Sequence, residues 1–425
     1  MASHARRPHI SRPFTLGGVF ASLVLLAALL PLACSQGCNP NEYRSVVPAG
    51  TPTVRVLVRE NVQQATLWAT EPPTVRNGGS ARTINLSHGS SAVVTFTSSG
   101  WRIGSASLSS DELIVEPASD GTVKVDGRPY RGKLRFVPTA LPGHFDVVND
   151  VDVDGYLMSV VPKEMFPQWH PEAYRAQAIV ARTYALYVAR TSPQGTRYDL
   201  FADTRSQVYG GMQSETPKSR EAVDSTRGIV LAYGPAGQER IFKAYFSSCC
   251  GGITQSSADA FGEVFSQPLS DQNVGPRCAA SPHFNWPTVT MRKSELTRRV
   301  RLWGINNNHP IRGIGDVSRI DIESNNRFGR PRRFMITDTR GNRYSLGAED
   351  FRHAVDTDAT DHVTLGSSFC KPVNDAAQVR FTEGHGFGHG VGLCQWCAEE
   401  QASQGAHCEM IVLGAFPGAR LVRAY

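Results

Sequence analysis

One glutamate stands among large apolar side chains in a segment that could carry proton-transfer chemistry. Glu164 comes directly before Met165 and Phe166, and Trp169 follows within the same short stretch. A carboxyl group packed against such side chains loses the solvation of its charged form, which favours the protonated form and would let the group donate a proton. The sequence therefore makes Glu164 the lead candidate for a catalytic general acid, placed just before a helix.

That helix is predicted over about 171–190. A proline suits its first turn, a glutamate there complements the positive end of the helix dipole, and the interior is rich in alanine. Gln177 and Arg182 lie on adjacent stripes of this helix. Arg182 either caps loop carbonyls or pairs with an acid, or it orients Glu164 or holds a ligand. Gln177 likewise either satisfies a buried backbone group or contacts a ligand.

A second candidate segment has glycine at every even position from 384 to 392. This pattern excludes a helix and predicts an extended or looped path with close backbone approach. His385 and His389 would share one face of an extended segment, so they could converge on a ligand. A metal would need a third ligand, and no nearby acid or thiol is placed for it. The pattern favours substrate binding or scaffolding, with structural turn histidines as the alternative.

The first 34 residues have the pattern of an export signal. Three arginines precede an apolar run from Phe14 to Ala33, which ends in L-P-L-A-C at 30–34. Pro31 stands where a bacterial lipobox usually has leucine or valine, so Cys34 is either lipidated or part of a signal that is cleaved or kept as an anchor. The remaining chain has no second apolar span of the ~20 residues that a membrane helix needs. We expect an exported protein of the periplasm or cell envelope, in contact with the membrane only through this segment.

Nine cysteines in an exported chain predict disulfides. Apart from Cys34 there are eight, an even number whose pairing the sequence does not fix: Cys38, Cys249, Cys250, Cys278, Cys370, Cys394, Cys397 and Cys408. The C-x-x-C pair at 394–397 could bind a metal or act in redox chemistry. Because no second pair has matching spacing and the compartment is oxidising, a structural disulfide is predicted there, with no metal or other cofactor.

Three ordered segments together resemble the SpoIID (stage II sporulation protein D) family. The first joins V-P-K-E-M at 161–165 to E-A-Y-R-A-Q-A-I-V-A-R-T-Y at 172–184; the second is Y-F-S-S-C-C-G-G-I-T at 245–254; the third is G-H-G-F-G-H-G-V-G-L-C-Q at 384–395. The likeness is fainter upstream, as far as about Val54, and downstream to the C-terminus. It implies a peptidoglycan lytic transglycosylase that cleaves glycan strands between N-acetylmuramic acid and N-acetylglucosamine, preferring strands stripped of their stem peptides.

Carried over to this chain, the resemblance makes Glu164 the catalytic residue. A transglycosylase can work with one carboxylate, because the C6 hydroxyl of the sugar attacks the anomeric carbon and forms a 1,6-anhydro product. Glu172 would be the nearby partner for ordinary hydrolysis, but the helix dipole already explains it. The substrate-binding candidates in the three segments are Gln177, Arg182, Ser247, Thr254, His385, His389 and Gln395.

Two further implications of the resemblance concern partners and metals. Relatives with this domain act as enhancers of amidases, so a non-catalytic, wall-binding partner of an N-acetylmuramoyl-L-alanine amidase is the alternative function. Some SpoIID-like proteins bind zinc through a histidine and two cysteines beyond the catalytic helix. The corresponding stretch here, D-T-R-S-Q-V-Y at 203–209, has neither residue type, so we do not expect that zinc site in this chain.

Length and pattern predict an α+β fold. At 425 residues and 40% hydrophobic, the chain can bury one large core or two moderate ones. Short β-branched or alternating runs predict a β-rich region over 50–148, and the rest of the chain, 149–425, is expected to form the catalytic domain with a further β-rich portion at 288–383. The assembly should be mainly antiparallel, with the helix at 171–190 lining a cleft for a glycan strand. The individual strands are predicted at 54–58, 92–96, 112–116, 133–137, 333–337 and 343–346, and a short helix at 294–300.

Charge gives little support to a nucleic-acid partner. The formal net charge of +6 falls to +3 without residues 1–34, which contain three arginines but no lysine or acidic residue. The densest basic stretch, R-F-G-R-P-R-R at 327–333, is predicted to be a solvated turn leading into a strand. The alternative is contact with an anionic cell-wall polymer.

Overall fold

In the computed structural model, which describes residues 50–77, 80–83, 91–118 and 122–425, twelve strands precede the first helix. They are β1 (Thr53–Val62), β2 (Gln64–Ala69), β3 (Thr74–Asn77), β4 (Ser80–Thr83), β5 (Ser91–Thr97), β6 (Gly100–Ile103), β7 (Ala106–Leu108), β8 (Leu113–Glu116), β9 (Val123–Val125), β10 (Arg128–Tyr130), β11 (Lys133–Pro138) and β12 (Phe145–Asp152). The four strands predicted in this region are confirmed as β1, β5, β8 and β11. The predicted export signal at 1–34, with Cys34, lies outside the described residues.

These strands pair antiparallel into two sheets. One sheet has the order β1-β12-β11-β8-β3-β4, and a later strand, β13 (Leu200–Phe201), joins it parallel to β1. The other has the order β10-β9-β2-β5-β6-β7. Trp101 of the second sheet packs edge-on against Phe136 and Phe145 of the first, with ring centroids 6.3 and 5.3 Å apart. The inward faces of the two sheets therefore share one hydrophobic core.

Two helices follow β12 and carry the first sequence motif. The first, α1 (Val153–Glu164), begins at Asp152, whose carboxylate accepts a hydrogen bond from the N–H of Gly155 at 2.8 Å. The second, α2 (Pro171–Thr191), begins at His170 and confirms the helix predicted over 171–190. The sequence analysis does not predict α1, because β-branched residues and the internal Pro162 argue against a helix there.

The remaining elements run from α2 to the C-terminus. They are α3 (Pro217–Ser225), β14 (Ile229–Tyr233), β15 (Arg240–Ile241), β16 (Phe246–Ser247), α4 (Ser257–Phe261), β17 (Asn285–Trp286), β18 (Val289–Arg292), α5 (Lys293–Asn306), β19 (Val317–Asn325), β20 (Pro331–Asp338), β21 (Arg343–Gly347), α6 (Ala348–Asp356), β22 (Lys371–Asn374), β23 (Gln378–Thr382), β24 (Gly384–His385), β25 (Leu393–Cys394), α7 (Gln395–Ser403), α8 (Cys408–Ala415) and β26 (Arg420–Arg423). The mixture of helices and mainly antiparallel sheets confirms the α+β fold class. Across the described residues, no helix combines the length and apolar character that crossing a bilayer requires.

The part of the chain from β18 to β23 forms a second hydrophobic core. Here α5 and α6 pack against the sheet β19-β20-β21, and Phe334 stacks on Phe351 with ring centroids 3.9 Å apart. The strands predicted at 333–337 and 343–346 are confirmed as β20 and β21. The short helix predicted at 294–300 is part of the longer α5, and α6 is a helix that the sequence analysis does not predict.

The basic stretch at 327–333 is only partly a solvated turn. The chain turns before Arg330 and then enters β20, as predicted, but the side chain of Arg330 is fully buried. Its guanidinium donates hydrogen bonds to the backbone carbonyls of Cys250, Ile253 and His389, at 3.0, 2.7 and 3.2 Å. The prediction of a solvated stretch is therefore wrong at Arg330, which joins the second motif segment to the third.

Candidate active site

Glu164 is the last residue of α1, at the point where the chain leaves the helix. Met165 has extended backbone angles (φ −119°, ψ 142°), and the Glu164 side chain is buried, with 8% of the residue exposed. Its Oε2 accepts a hydrogen bond from Nε2 of Gln395 at 3.4 Å. The residue does lie just before α2, as expected, but the preceding helix holds it in place.

Tyr156, about two turns before Glu164 on α1, is fully buried. Burial raises the pKa of Tyr156 well above its ordinary value, and the charges that two nearby tyrosines and Glu164 would carry when ionised add to the rise. The hydroxyl therefore stays protonated and donates a hydrogen bond to Oε1 of Gln207 at 3.2 Å. A phenol with so high a pKa does not act as an acid or a base near neutral pH.

Gln395 opens α7 and is held there by the second motif segment. Strand β25 pairs in parallel with β16, so Ser247 lies opposite the residue that precedes Gln395. On the other side, the N–H of Trp396 donates to the carbonyl of Ser248 at 3.1 Å. Because both of its neighbours are fixed, the amide of Gln395 meets Glu164 although 231 residues separate the two in the chain.

Three aromatic rings lie beside the two polar residues and form what we call the aromatic shelf: Phe166, Trp169 and Trp396. Their ring centroids are 5.0 to 5.9 Å apart. Trp169 is buried, whereas 48% of Phe166 is exposed to solvent. An exposed aromatic face next to a buried acid suits the apolar face of a sugar ring. The sequence predicts Phe166 and Trp169 only as the apolar surroundings of the acid, and it gives no sign that Trp396 joins them.

The glycine-rich third segment follows a looped path, as predicted. Gly386, Gly388, Gly390 and Gly392 all have positive φ angles, between 71° and 93°, which glycine adopts without strain. A Cβ on Gly388 would lie 3.2 Å from the Cβ of Ser247, so the loop packs closely on β16. Ser247 is itself buried, and its hydroxyl makes no hydrogen bond within the described residues.

The two histidines of the loop contact different groups. The ring of His385 lies 5.0 Å from that of Phe369, and it is half-buried. The ring of His389 lies 5.3 Å from that of Phe261, and its Nδ1 accepts a hydrogen bond from the N–H of Val391 at 2.9 Å. Because positive φ angles turn the chain between them, the expectation of a shared face does not apply, and these contacts agree with a scaffolding role.

Two further candidates differ in how well their polar groups are satisfied. Gln177 is fully buried on α2, which packs against α7, and its amide makes no hydrogen bond among the described residues. It therefore keeps the capacity to bind a ligand or a water. The hydroxyl of Thr254 instead accepts a hydrogen bond from the N–H of Gln272 at 2.7 Å, which favours a role in fixing the loop.

Arg182 is fully buried and fully engaged by protein groups. Its guanidinium donates to the carboxylate of Asp154 at 3.1 Å and to the carbonyls of Thr226 and Val223 at 2.8 and 3.1 Å. Asp154 lies in the first turn of α1, ten residues or about 15 Å along the helix from Glu164. The geometry favours the first of the two alternatives, in which Arg182 pairs with an acid and caps loop carbonyls.

Two other carboxylates near the site are already engaged in holding helices together. Glu172 pairs with Arg175 and accepts a hydrogen bond from the N–H of Cys408 at 2.7 Å. Glu399, one turn after Gln395 on α7, accepts one from the N–H of His170 at 2.7 Å. Both therefore have a structural task that accounts for their position.

Four cysteine thiols converge between the second and third motif segments. Among the cysteines that the structure describes, six are free thiols: Cys249, Cys250, Cys278, Cys370, Cys394 and Cys397. Four of these, Cys250, Cys278, Cys394 and Cys397, have sulfur atoms within 4.8 Å of one another and are all buried. Hydrogen bonds from the thiols of Cys249 and Cys250 lower the pKa of Cys278, whereas burial raises the pKa of Cys394. The predicted disulfide within C-x-x-C is therefore wrong, and the prediction of no metal set aside Cys394 and Cys397 and missed Cys250 and Cys278 as candidate ligands.

The central part of the chain is similar to a known protein family, and longer parts of it are similar to individual proteins. Residues 142–233, which include α1 and α2, match the family described as Stage II sporulation protein (SpoIID). The chain is 29% identical over 288 residues to an uncharacterised protein of Brachyspira hyodysenteriae, covering 68% of this chain and 70% of that protein. It is 24% identical over 335 residues to stage II sporulation protein D of Bacillus subtilis, covering 75% and 87%. A Bacillus subtilis protein named amidase enhancer is 23% identical over 352 residues, covering 73% of this chain and 47% of that protein.

Proposed function

We propose that this chain, whose residues 142–233 match the SpoIID family, is a peptidoglycan lytic transglycosylase in which Glu164 transfers the proton. The family match and the relatives named above support a cell-wall-related role. The observation that carries the finer proposal is a buried carboxyl group at a helix end that accepts a hydrogen bond from the Gln395 amide and lies two residues before Phe166, a half-exposed ring of the aromatic shelf. Its substrate is the bond between N-acetylmuramic acid and N-acetylglucosamine, in strands stripped of stem peptides.

The reaction needs one group that gives and then takes a proton. Protonated Glu164 donates to the glycosidic oxygen as the bond from the anomeric carbon to that oxygen breaks. The resulting carboxylate takes the proton of the C6 hydroxyl, whose oxygen forms the new bond to the anomeric carbon. No water is consumed, and the acid ends in its starting state. The Gln395 amide holds the carboxyl in one orientation and donates to it when it is charged.

The surrounding carboxylates support this route over ordinary hydrolysis. Hydrolysis would require a second carboxylate to activate a water or to attack the sugar. Glu172 and Glu399 each accept a backbone hydrogen bond at 2.7 Å that joins two helices, so neither stands ready for that role. The intramolecular hydroxyl removes the need for one.

The test is product analysis with matched variants. The full-length protein, its Glu164→Gln variant and a Glu399→Gln control are incubated with peptidoglycan, both intact and stripped of stem peptides, and soluble products are identified by mass spectrometry. We expect 1,6-anhydro products from the wild type and the control, and a loss of about 10²- to 10⁴-fold in rate for Glu164→Gln. Products with an ordinary reducing end that also require Glu399 would instead indicate a two-carboxylate hydrolase.

A second candidate function rests on the relative named amidase enhancer. In that case the chain binds the cell wall and stimulates an N-acetylmuramoyl-L-alanine amidase without cleaving glycan. The deciding measurement is the release of stem peptides by such an amidase in the presence of wild type or Glu164→Gln. Equal stimulation by both proteins, with no glycan product from either, would favour the enhancer.

We also propose that the protein works in the cell envelope, which export through residues 1–34 would provide.

A further inference from the structure

The four converging thiols have spacings that fit a metal site and do not fit disulfides. Sγ of Cys250 lies 3.6 Å from Sγ of Cys278 and 3.9 Å from Sγ of Cys397. A disulfide would bring two sulfur atoms to about 2.05 Å. Zinc binds cysteine sulfur at about 2.3 Å, and four such sulfurs at the corners of a tetrahedron lie about 3.8 Å apart. The observed separations fall on either side of that edge length.

The cluster is closed to solvent and supplies all four corners. Cys250 and Cys278 are completely buried, and Cys394 and Cys397 are each 5% exposed. With four protein sulfurs, no coordination position is left for water or substrate, which is the arrangement of structural zinc sites. Cys394 and Cys397 also have the two-residue spacing that lets one turn of chain supply two ligands. Cys249 belongs to the same buried core but lies outside the four-sulfur set.

The charge around the cluster fits a negatively charged metal centre. Four thiolates and one divalent ion together carry two negative charges. The fully buried guanidinium of Arg330 donates to the carbonyl of Cys250 at 3.0 Å, and its other hydrogen bonds also go to backbone carbonyls. A buried cation needs opposite charge nearby; the Glu349 carboxylate supplies part of it, and the metal centre would add negative charge on the side of Cys250. The N–H of Cys250 in addition donates to Sγ of Cys394 at 3.3 Å, which is the kind of outer contact that orients a metal ligand.

We propose that Cys250, Cys278, Cys394 and Cys397 bind one zinc ion as a closed, structural tetrathiolate site. Binding releases the thiol protons and leaves four sulfur–zinc bonds, with no change in oxidation state. The site is separate from the zinc ligands that the family resemblance implies, whose equivalent stretch at 203–209 has neither cysteine nor histidine.

The zinc would fix the part of the chain that orients the proposed acid. Cys394 and Cys397 flank Gln395, whose amide meets Glu164. The other two ligands come from separate loops, so the ion ties three segments together behind the aromatic shelf. The inference concerns metal binding and does not depend on the proposed reaction, because its test measures metal and thiols directly.

The first experiment measures metal in the full-length protein purified in mild detergent. Elemental analysis should find one zinc per chain, and in denaturant four more thiols should react with a thiol reagent when a chelator is present than when it is absent. Replacing zinc with Co²⁺ should give sulfur-to-cobalt charge-transfer bands and the visible bands of a tetrahedral site. Stoichiometric iron would overturn the assignment to zinc. Metal-free protein with disulfides among the four cysteines, found by peptide mass spectrometry, would overturn the site altogether.

Single variants then identify the ligands. Cys278→Ser and Cys397→Ser should each weaken zinc retention against a competing chelator by more than the 10- to 100-fold typical of lost outer contacts. Cys370→Ser is the matched control, because Cys370 is a buried free thiol outside the cluster, and it should keep its zinc. Wild-type zinc retention in both cluster variants would refute the ligand set. If the variants fail to fold, the cobalt spectrum of the wild type still decides.

Discussion

Replacing Arg182 with methionine should cost the fold several kcal/mol, because the guanidinium holds three elements together at one buried point. Arg182 donates to the Asp154 carboxylate on α1, to two carbonyls at the end of α3, and directly to the carbonyl of Ile229, the first residue of β14. The hydroxyl of Tyr425, near the C-terminus, donates to the same carboxylate at 2.6 Å. Methionine retains the apolar stem but removes every one of the guanidinium hydrogen bonds.

The magnitude follows from what the substitution leaves behind. Asp154 would remain as a buried carboxylate whose buried cation is gone, and breaking such a pair by removing one partner costs about 3 to 5 kcal/mol. The carbonyls of Val223 and Thr226 would each lose one hydrogen bond, worth about 1 kcal/mol net, although Thr226 keeps the N–H of Ile229 as a donor at 3.0 Å. We therefore expect a loss of about 5 kcal/mol in the free energy of unfolding, which rivals the whole stability of many domains.

Urea unfolding followed by tryptophan fluorescence measures this loss. For a slope near 3 kcal/mol per molar urea, about 5 kcal/mol moves the midpoint down by roughly 1.5 to 2 M. Asp154→Asn alone should cost less, because it leaves a neutral partner for the guanidinium. The double variant should recover part of the loss, since it removes both charges of the pair. A midpoint shift below about 0.3 M for Arg182→Met would refute the structural role.

The same residue also distinguishes the two alternatives that its sequence position leaves open. Arg182→Lys keeps the charge but loses the fork that reaches several carbonyls at once. If Arg182 is structural, this variant is less stable, yet its folded fraction releases products at the wild-type rate. Wild-type stability combined with lost glycan cleavage would show that Arg182 orients the acid or holds the substrate.

Three further outcomes can be measured on the same protein. Burial raises the pKa of Asp356 to about 6, so the folded state loses stability as this carboxyl group ionises between about pH 4 and 6. Asp356→Asn should therefore raise the free energy of unfolding by up to about 3 kcal/mol at pH 7 and leave it unchanged below pH 4. Equal effects at both pH values in urea titrations would contradict this. Gln395→Leu should lower kcat of anhydro-product release by about 10- to 100-fold with KM little changed, because the amide contacts Glu164; an unchanged kcat would remove it from the site. Gly390→Ala should lower the free energy of unfolding by at least about 2 kcal/mol, because φ is +71° and the new Cβ would lie 2.3 Å from a buried guanidinium nitrogen. Gly313→Ala, which has open space around it, should leave thermal stability unchanged. Similar melting temperatures for the two variants would refute the packing argument.

Much of the fold follows from local pattern, and α2 shows why. Its proline, its acidic first turn and its alanines all favour a helix within one stretch of chain, and the structure confirms it at Pro171–Thr191. The strands β1, β5, β8 and β11 are similarly announced by β-branched residues between turns. In each case, neighbouring residues alone carry enough preference to decide the local structure.

Helix α1 shows what local pattern cannot decide. Pro162 lacks the N–H that would bond to the carbonyl four residues earlier, so a sequence argument ends the helix before it. In the structure, that carbonyl, on Met158, accepts a hydrogen bond from the hydroxyl of Ser219 on α3 at 2.8 Å. The missing bond is replaced by a residue that lies 61 positions away. Only the packed fold supplies it, so the helix end that carries Glu164 was hidden from the sequence.

The cysteine cluster was hidden for the same reason. Its four sulfurs come from three separate segments, and only Cys394 and Cys397 have a spacing that suggests a joint role. What unites them is backbone packing between two motif segments: a Cβ on Gly251 would lie 2.7 Å from the Cβ of His385, and one on Gly386 would lie 2.7 Å from the carbonyl oxygen of Cys249. The glycines predict that another part of the backbone approaches closely, but they do not indicate which segment it is.

The three motif segments meet and together hold Glu164 in contact with Gln395. The first supplies the carboxyl group of Glu164, and the third supplies the amide that contacts it. The second supplies β16, which pairs with β25 and sets the position of Gln395. Removing any one of the three would lose the contact between Glu164 and Gln395, because 231 residues of intervening chain cannot hold two side chains within hydrogen-bonding distance by themselves. A substitution that loosens the second segment should therefore lower catalysis without touching Glu164 or Gln395.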